Sequence, residues 1–222
     1  MSRLTKIGVI LAGVVLLTAC SNPFAPEKKT PEGTTQQPAP TAETPQLLLD
    51  NLHRAMRDRD KDLYETLLDE RFWFTEDNCQ GDLVLANGKE QELEIMGGSR
   101  DSDRPGIFQI FRTFEFDFQA IARTRELGSE YPKAFEDDPD GHPDEDWEVF
   151  RGRVQMLILD EGGDGFRVDQ IMTYKLRLHD GVWRMIRWID DPLSGDCGAP
   201  AGKEVFAVSP WALEKRGFLV VD

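Results

Sequence analysis

"YKLRLHDGVWRMIRWIDDP", residues 174–192, reads as two strands joined by a tight turn. Met172, Tyr174, Leu176 and Leu178 share one parity, and Trp183, Met185, Arg187 and Ile189 share one on the strand that follows. Side chains alternate across a pleated strand, so each set predicts one face of a sheet. Asp180 and Gly181, between them, are a favoured pair for a two-residue hairpin. Upstream, Phe150, Val154, Met156 and Ile158 alternate with Arg151, Arg153 and Gln155, and "DEGGDG" at 160–165 supplies another turn. Phe114, Phe116 and Phe118 alternate with Glu115, Asp117 and Gln119 in the same way.

Ahead of these strands the period changes. In "TPQLLLDNLHRAMRDRDKDLYETLLDERFWF", residues 44–74, Thr44 and Pro45 form a helix entry. Leu48, Leu49, Leu52 and Met56 recur at helical spacing, and Leu63, Leu67 and Leu68 follow in a second helix. Phe72, Trp73 and Phe74 are bulky and consecutive, which predicts the first strand. "GDLVLANG" at 81–88 reads as a short strand, "KEQELEIMGGS" as a helix stopped by Gly97 and Gly98, and "GIFQIFRTF" as a further helical turn. Helices first and long antiparallel strands after them predict an α+β fold, with N-terminal helices packed on a curved, mainly antiparallel sheet.

The paired helices running into an aromatic strand, with the closing hairpin around Gly181, Val182 and Trp183, resemble the NTF2-like superfamily, including SnoaL-like domains. The resemblance spans residues 46 to about 192 and implies a cone-shaped α+β fold. A cystatin-like sheet is the competing architecture. An acidic insert at 127–146 and a C-terminal tail at 193–222 lie outside the resemblance.

The first 19 residues carry Arg3 and Lys6, an apolar run from Ile7 to Leu17, then Thr18 and Ala19, in the order of an export signal. The run is too short to cross about 30 Å of hydrocarbon, which takes about 20 apolar residues. Leu17, Thr18, Ala19 and Cys20 resemble the lipobox of bacterial lipoproteins, which implies cleavage before Cys20 and acylation of its sulfur. Ser21 in second place implies delivery to the outer membrane, facing the periplasm. Residues 20–45, rich in Pro, Thr and Gln and poor in large apolar side chains, read as a disordered tether. Residues 46–222 then form one domain by length.

With Cys20 lipidated, Cys79 and Cys197 are left as an even pair in an oxidising compartment. In an NTF2-like sheet the first and last strands bring the two toward one another, which implies a disulfide; two separate thiols are the alternative. Losing Arg3 and Lys6 and no acids leaves 24 basic against 41 acidic residues, a charge near −17. Such a surface repels phosphate backbones and excludes nucleic acid as a partner.

The fold does not fix an activity. For an enzyme it predicts a tuned acid or base facing the sheet interior. Tyr64, Tyr174 and Arg187 are the pocket candidates, with Asp190 beside them. Their ordinary readings are core tyrosines, and an arginine reaching the rim or Asp190. No acid and base pair is evident, nor any metalloprotease, phosphate-loop or nucleophile-elbow motif. His53, His142 and His179 show no convergence. Glu136, Asp138 and Asp140 alternate before Gly141 as in a calcium loop, yet Trp147 stands where a bidentate Glu is needed, so the insert reads as a solvated loop. No metal or cofactor is expected. The expected role is a lipid-anchored envelope protein that binds a partner protein or small ligand without catalysis. The alternative is an isomerase, dehydratase or cyclase of the SnoaL-like type.

Overall fold

The computed structural model of the chain describes residues 39–77, 83–100, 102–191 and 211–218. Cys20, Cys79 and Cys197, with the expected signal at 1–19, lie outside the described residues. The α+β class expected from the sequence is what the structure has.

Helix α1 (Pro45–Asp58) starts where the sequence says it should: the Thr44 hydroxyl accepts the Leu47 amide and Pro45 takes the first helical position. Its apolar stripe of Leu48, Leu49, Leu52, Ala55 and Met56 is buried. Arg59 ends it in the left-handed region at φ 55°. Asp60 then caps α2 (Lys61–Leu67) through the Leu63 amide. Strand β1 (Leu68–Asp77) holds Phe72 and Phe74 in the core; β2 (Leu83–Gly88) pairs with it. Helix α3 (Lys89–Gly97) stops at Gly98, whose φ of 85° suits glycine, and α4 (Ile107–Ile110) is a single turn.

Four strands complete the sheet: β3 (Thr113–Glu126), β4 (Trp147–Leu159), β5 (Gly165–His179) and β6 (Val182–Asp191). Their order is β2-β1-β6-β5-β4-β3, antiparallel throughout except for the parallel β1–β6 pair. The β5–β6 turn places Asp180 at φ 51° and Gly181 at φ 76°, the two positive values a type I′ hairpin requires. One core lies between the sheet and the helices, with Phe114, Phe116, Val154, Met156, Ile158, Met172, Leu176 and Trp188 pointing into it. No helix among the described residues is long and apolar enough to cross a membrane.

Three regions read as peripheral in the sequence belong to the fold. The end of the expected tether lies on it: Ala42 is buried, its carbonyl accepts the Trp183 amide at 2.8 Å, and Asn51 donates to the Pro40 carbonyl at 2.7 Å. The insert covers the part of the outer face that carries Lys175, Arg177 and Arg187. The tail contributes α5 (Trp211–Arg216), whose Trp211 and Lys215 are sealed in the core at 0% and 1% exposure.

Candidate functional site

On the helix-covered face a group of polar side chains meets inside an aromatic wall. Helix α3 turns Glu92, fully buried, inward beside Leu93, Ile95 and Met96. Its carboxylate accepts the Tyr64 hydroxyl from α2 at 2.7 Å and the Asn87 amide from β2. The Lys215 ammonium from α5 completes the group, 2.6 and 2.8 Å from the two Glu92 oxygens. That ammonium stands 3.6 Å from the Phe74 ring centroid, 4.9 Å from that of Trp188 and 5.3 Å from that of Trp211. A cation over several ring faces and against a carboxylate is held by both attractions, each strengthened where water is excluded.

The first turn of α5 is read as well. Gln170 Oε1 on β5 accepts the Trp211 amide at 2.8 Å, and Asp190 Oδ2 on β6 accepts the Ala212 amide at 2.6 Å. These are orphan donors of a helix start, satisfied here by side chains of the sheet.

Burial sets the electrostatics. It pushes the Asp190 carboxyl up to about 7, against the lowering effects of the Ala212 amide and Lys215. It lowers Lys215, opposed by Glu92. The Tyr64 and Tyr174 hydroxyls are both raised well above the usual phenol range, first by burial and then by Glu92 and Asp190 respectively. A carboxyl near 7 in a dry interior has the strength of a general base, but here it is engaged by the α5 backbone.

The sequence candidates separate. Tyr64 joins the group through Glu92. Tyr174 faces the same core, its ring 5.0 Å from Phe118 and 5.1 Å from Trp188, with its hydroxyl 3.6 Å from Met172 Sδ. It also borders a cavity of about 110 Å³ between α1 and β3, lined by Leu49, His53, Phe116 and Phe118. Arg187 does not face the interior. Met185 pairs with Leu176 but Arg187 pairs with Lys175, so Ile186 is an extra residue in β6 that reverses the parity. Trp188 and Asp190, not Arg187 and Ile189, therefore point to the helices.

On the outer face Arg187 is almost fully buried under the insert. It donates to Asp140 at 3.0 Å, to the Arg71 carbonyl at 3.1 Å and to the Pro139 carbonyl. Burial lowers its pKa while Asp140 raises it. Lys175 reaches Asp140 at 3.0 Å and Glu126 at 3.2 Å, and Arg177 reaches Glu145 at 2.9 Å and Asp69 at 3.4 Å. The insert is thus no solvated loop: its acids neutralise three sheet cations. Both Asp140 oxygens are engaged, and no group of His, Cys, Asp or Glu among the described residues is arranged to hold a metal ion. His142 stacks between Tyr131 and Trp147, with ring centroids 4.5 and 3.9 Å away. The ring of His53, on α1, is centred 6.1 Å from that of Phe116 on β3, and His179 is exposed at the hairpin.

Glu92, Trp211 and Lys215 were not among the candidates. The signal for the last two was present in the tail, since Trp211, Lys215 and Phe218 recur at helical spacing; Glu92 in "KEQELEIM" looks like any exposed helix acid.

No family model and no curated protein matches the chain. Among solved structures it is similar to a provisionally named aromatic ring hydroxylase from Novosphingobium aromaticivorans DSM, at 13% identity over 67% of this chain and 85% of the other, TM-score 0.44. It is similar to a conserved protein from Planctomyces limnophilus DSM 3776 at 13% identity, over 66% of this chain and 91% of the other, TM-score 0.44. An NTF2-like protein of unknown function from Shewanella oneidensis MR-1 is similar at 15% identity, over 65% and 93%, TM-score 0.37. What any of these proteins does stays with that protein.

Proposed function

We propose that the chain is a lipid-anchored envelope protein whose NTF2-like domain binds a partner protein and performs no catalysis. One observation carries this reading: the interior between helices and sheet, where a substrate of an enzyme of this kind would sit, is occupied by Trp211 and Lys215 of the chain's own α5. Glu92, Tyr64 and Asp190 are engaged in internal contacts, and the candidate cation Arg187 is on the opposite face. Acylated Cys20 would hold the domain at the membrane, since two or more buried acyl chains make a stable anchor. A Cys79–Cys197 disulfide belongs to the same proposal.

Photo-crosslinking in the native envelope tests it. A benzoyl-phenylalanine placed at Ile121, 63% exposed, or at Leu178, 49% exposed, should give a discrete adduct with a second protein in the membrane fraction. Cys20→Ser should release the chain from that fraction and remove the adduct. Absence of any discrete adduct from both positions would refute partner binding.

A further inference from the structure

Helix α5 is held through its backbone, its aromatic side chain and its cation. Gln170 and Asp190 accept the amides of two successive residues at the start of a helix, Trp211 and Ala212. One turn further on, Glu92 with Phe74 and Trp188 takes the ammonium of Lys215. Trp211 fills the space between, 6.2 Å from Phe166 and 6.5 Å from Phe114. Backbone, aromatic and cation are met by different side chains, drawn from β1, β3, β5, β6 and α3.

The fit is incomplete. Gln170 Nε2 and Asp190 Oδ1 are buried without a hydrogen-bond partner, as is Trp211 Nε1. Buried polar groups left unpaired in this way each cost stability, because their water is lost and nothing replaces it. An occupant that satisfied Gln170 Nε2 and Asp190 Oδ1 would bind better than α5 does. A helix of six residues is also far below the ~12–15 that are marginally stable alone, so α5 is helical because it is docked.

We infer that this interior is a binding site for a helical segment of a partner protein carrying an aromatic residue and, four residues later, a lysine, and that α5 is its resting intramolecular occupant. The inference rests on the partner-binding reading above and names the ligand class for it. Glu92 and the aromatic wall select the ammonium; an acidic or uncharged residue there would leave Glu92 buried without a counter-charge. Being tethered, α5 competes at an effective concentration on the order of millimolar, so an incoming segment gains access when α5 is weakened or when it fits better.

The test uses the full-length chain and a fluorescently labelled peptide of residues 209–222. Lys215→Gln in the chain weakens the internal occupant and leaves Glu92, Gln170 and Asp190 in place. The peptide should bind this variant at least tenfold more tightly than it binds the wild-type chain. A peptide carrying the same Lys215→Gln change should lose at least tenfold on the same receptor, a comparison that does not depend on the folding of any further variant. No saturable binding to the Lys215→Gln chain, or equal binding of the two peptides, overturns the inference. Such a failure alongside a discrete crosslinked adduct removes only the proposed ligand class. Failure of both removes the partner-binding reading too.

Discussion

The ammonium of Lys215 lies 2.6 and 2.8 Å from the carboxylate oxygens of Glu92, with both side chains sealed from solvent and separated by 123 residues of sequence. Taking two charges out of water is costly, so this pair acts less as a source of stability than as a constraint: either member alone is a buried, uncompensated charge. Replacing Lys215 by Met should therefore lower stability by about 3 kcal/mol in urea unfolding. Glu92→Leu should cost more, because Tyr64 and Asn87 also lose their acceptor. The double variant should recover at least 1 kcal/mol relative to the sum of the singles; strict additivity would show that the two groups are not coupled.

Asp190 makes the fold sensitive to pH. Its carboxyl is raised from 3.8 to about 7, so the folded chain holds a proton there that the unfolded chain releases at lower pH. The associated stability is fully present below about 4 and is lost as pH rises to about 7. At 1.36 kcal/mol per unit the loss is at most about 4 kcal/mol. Asp190→Asn keeps an acceptor for the Ala212 amide and removes the titration. The difference in urea midpoint between wild type and variant, measured from pH 4 to 7, should shift in the variant's favour with rising pH. A constant difference would exclude a titrating Asp190. Lys215, Glu76 and Asp191 act on the same carboxyl, so their charges enter equally into both proteins.

Arg187 clamps the insert. Arg187→Met should lower stability by about 3 kcal/mol, since Asp140 Oδ1 and the Arg71 and Pro139 carbonyls lose their donor and Lys175 alone is left on Asp140. It should also speed tryptic cleavage at exposed Lys133 within 127–146. Unchanged cleavage there would mean that the aromatic stack of Tyr131, His142 and Trp147 holds the insert alone.

The parallel pairing of β1 with β6 brings Glu76 opposite Asp190, so both strands end at the same side of the sheet. Cys79 follows the first by two residues after Asp77 and Cys197 the second by six after Asp191. Nonreducing peptide mapping should recover the two linked. The bond would close a loop of about 119 residues, worth up to about 5 kcal/mol in the chain-entropy view, and reduction should lower the urea midpoint accordingly. Recovery of both as free thiols would refute the bond.

The order of elements was legible in the sequence because it follows from local rules. Thr44 and Pro45 set the start of α1, the leucine stripe its buried side, the alternating phenylalanines the face of β3, and Asp180 with Gly181 the hairpin. Each depends on residues within a few positions of one another. Where such a rule was extended too far it failed at Arg187: strict alternation put it inside, and one extra residue, Ile186, put it outside, because a bulge is a property of the pairing of two strands and not of either one.

The sequence by itself determined the order of helices and strands between Thr44 and Asp191, the turns between them and the acidic balance of charge. Only the tertiary structure decided that the tail belongs to the core, that the insert neutralises Lys175, Arg177 and Arg187, and that Glu92 is an interior charge. A glutamate on a helix and a lysine in a tail look like solvated surface when each is read alone. Their partners are 123 residues apart in sequence, and burial becomes tolerable only when the fold brings the two together.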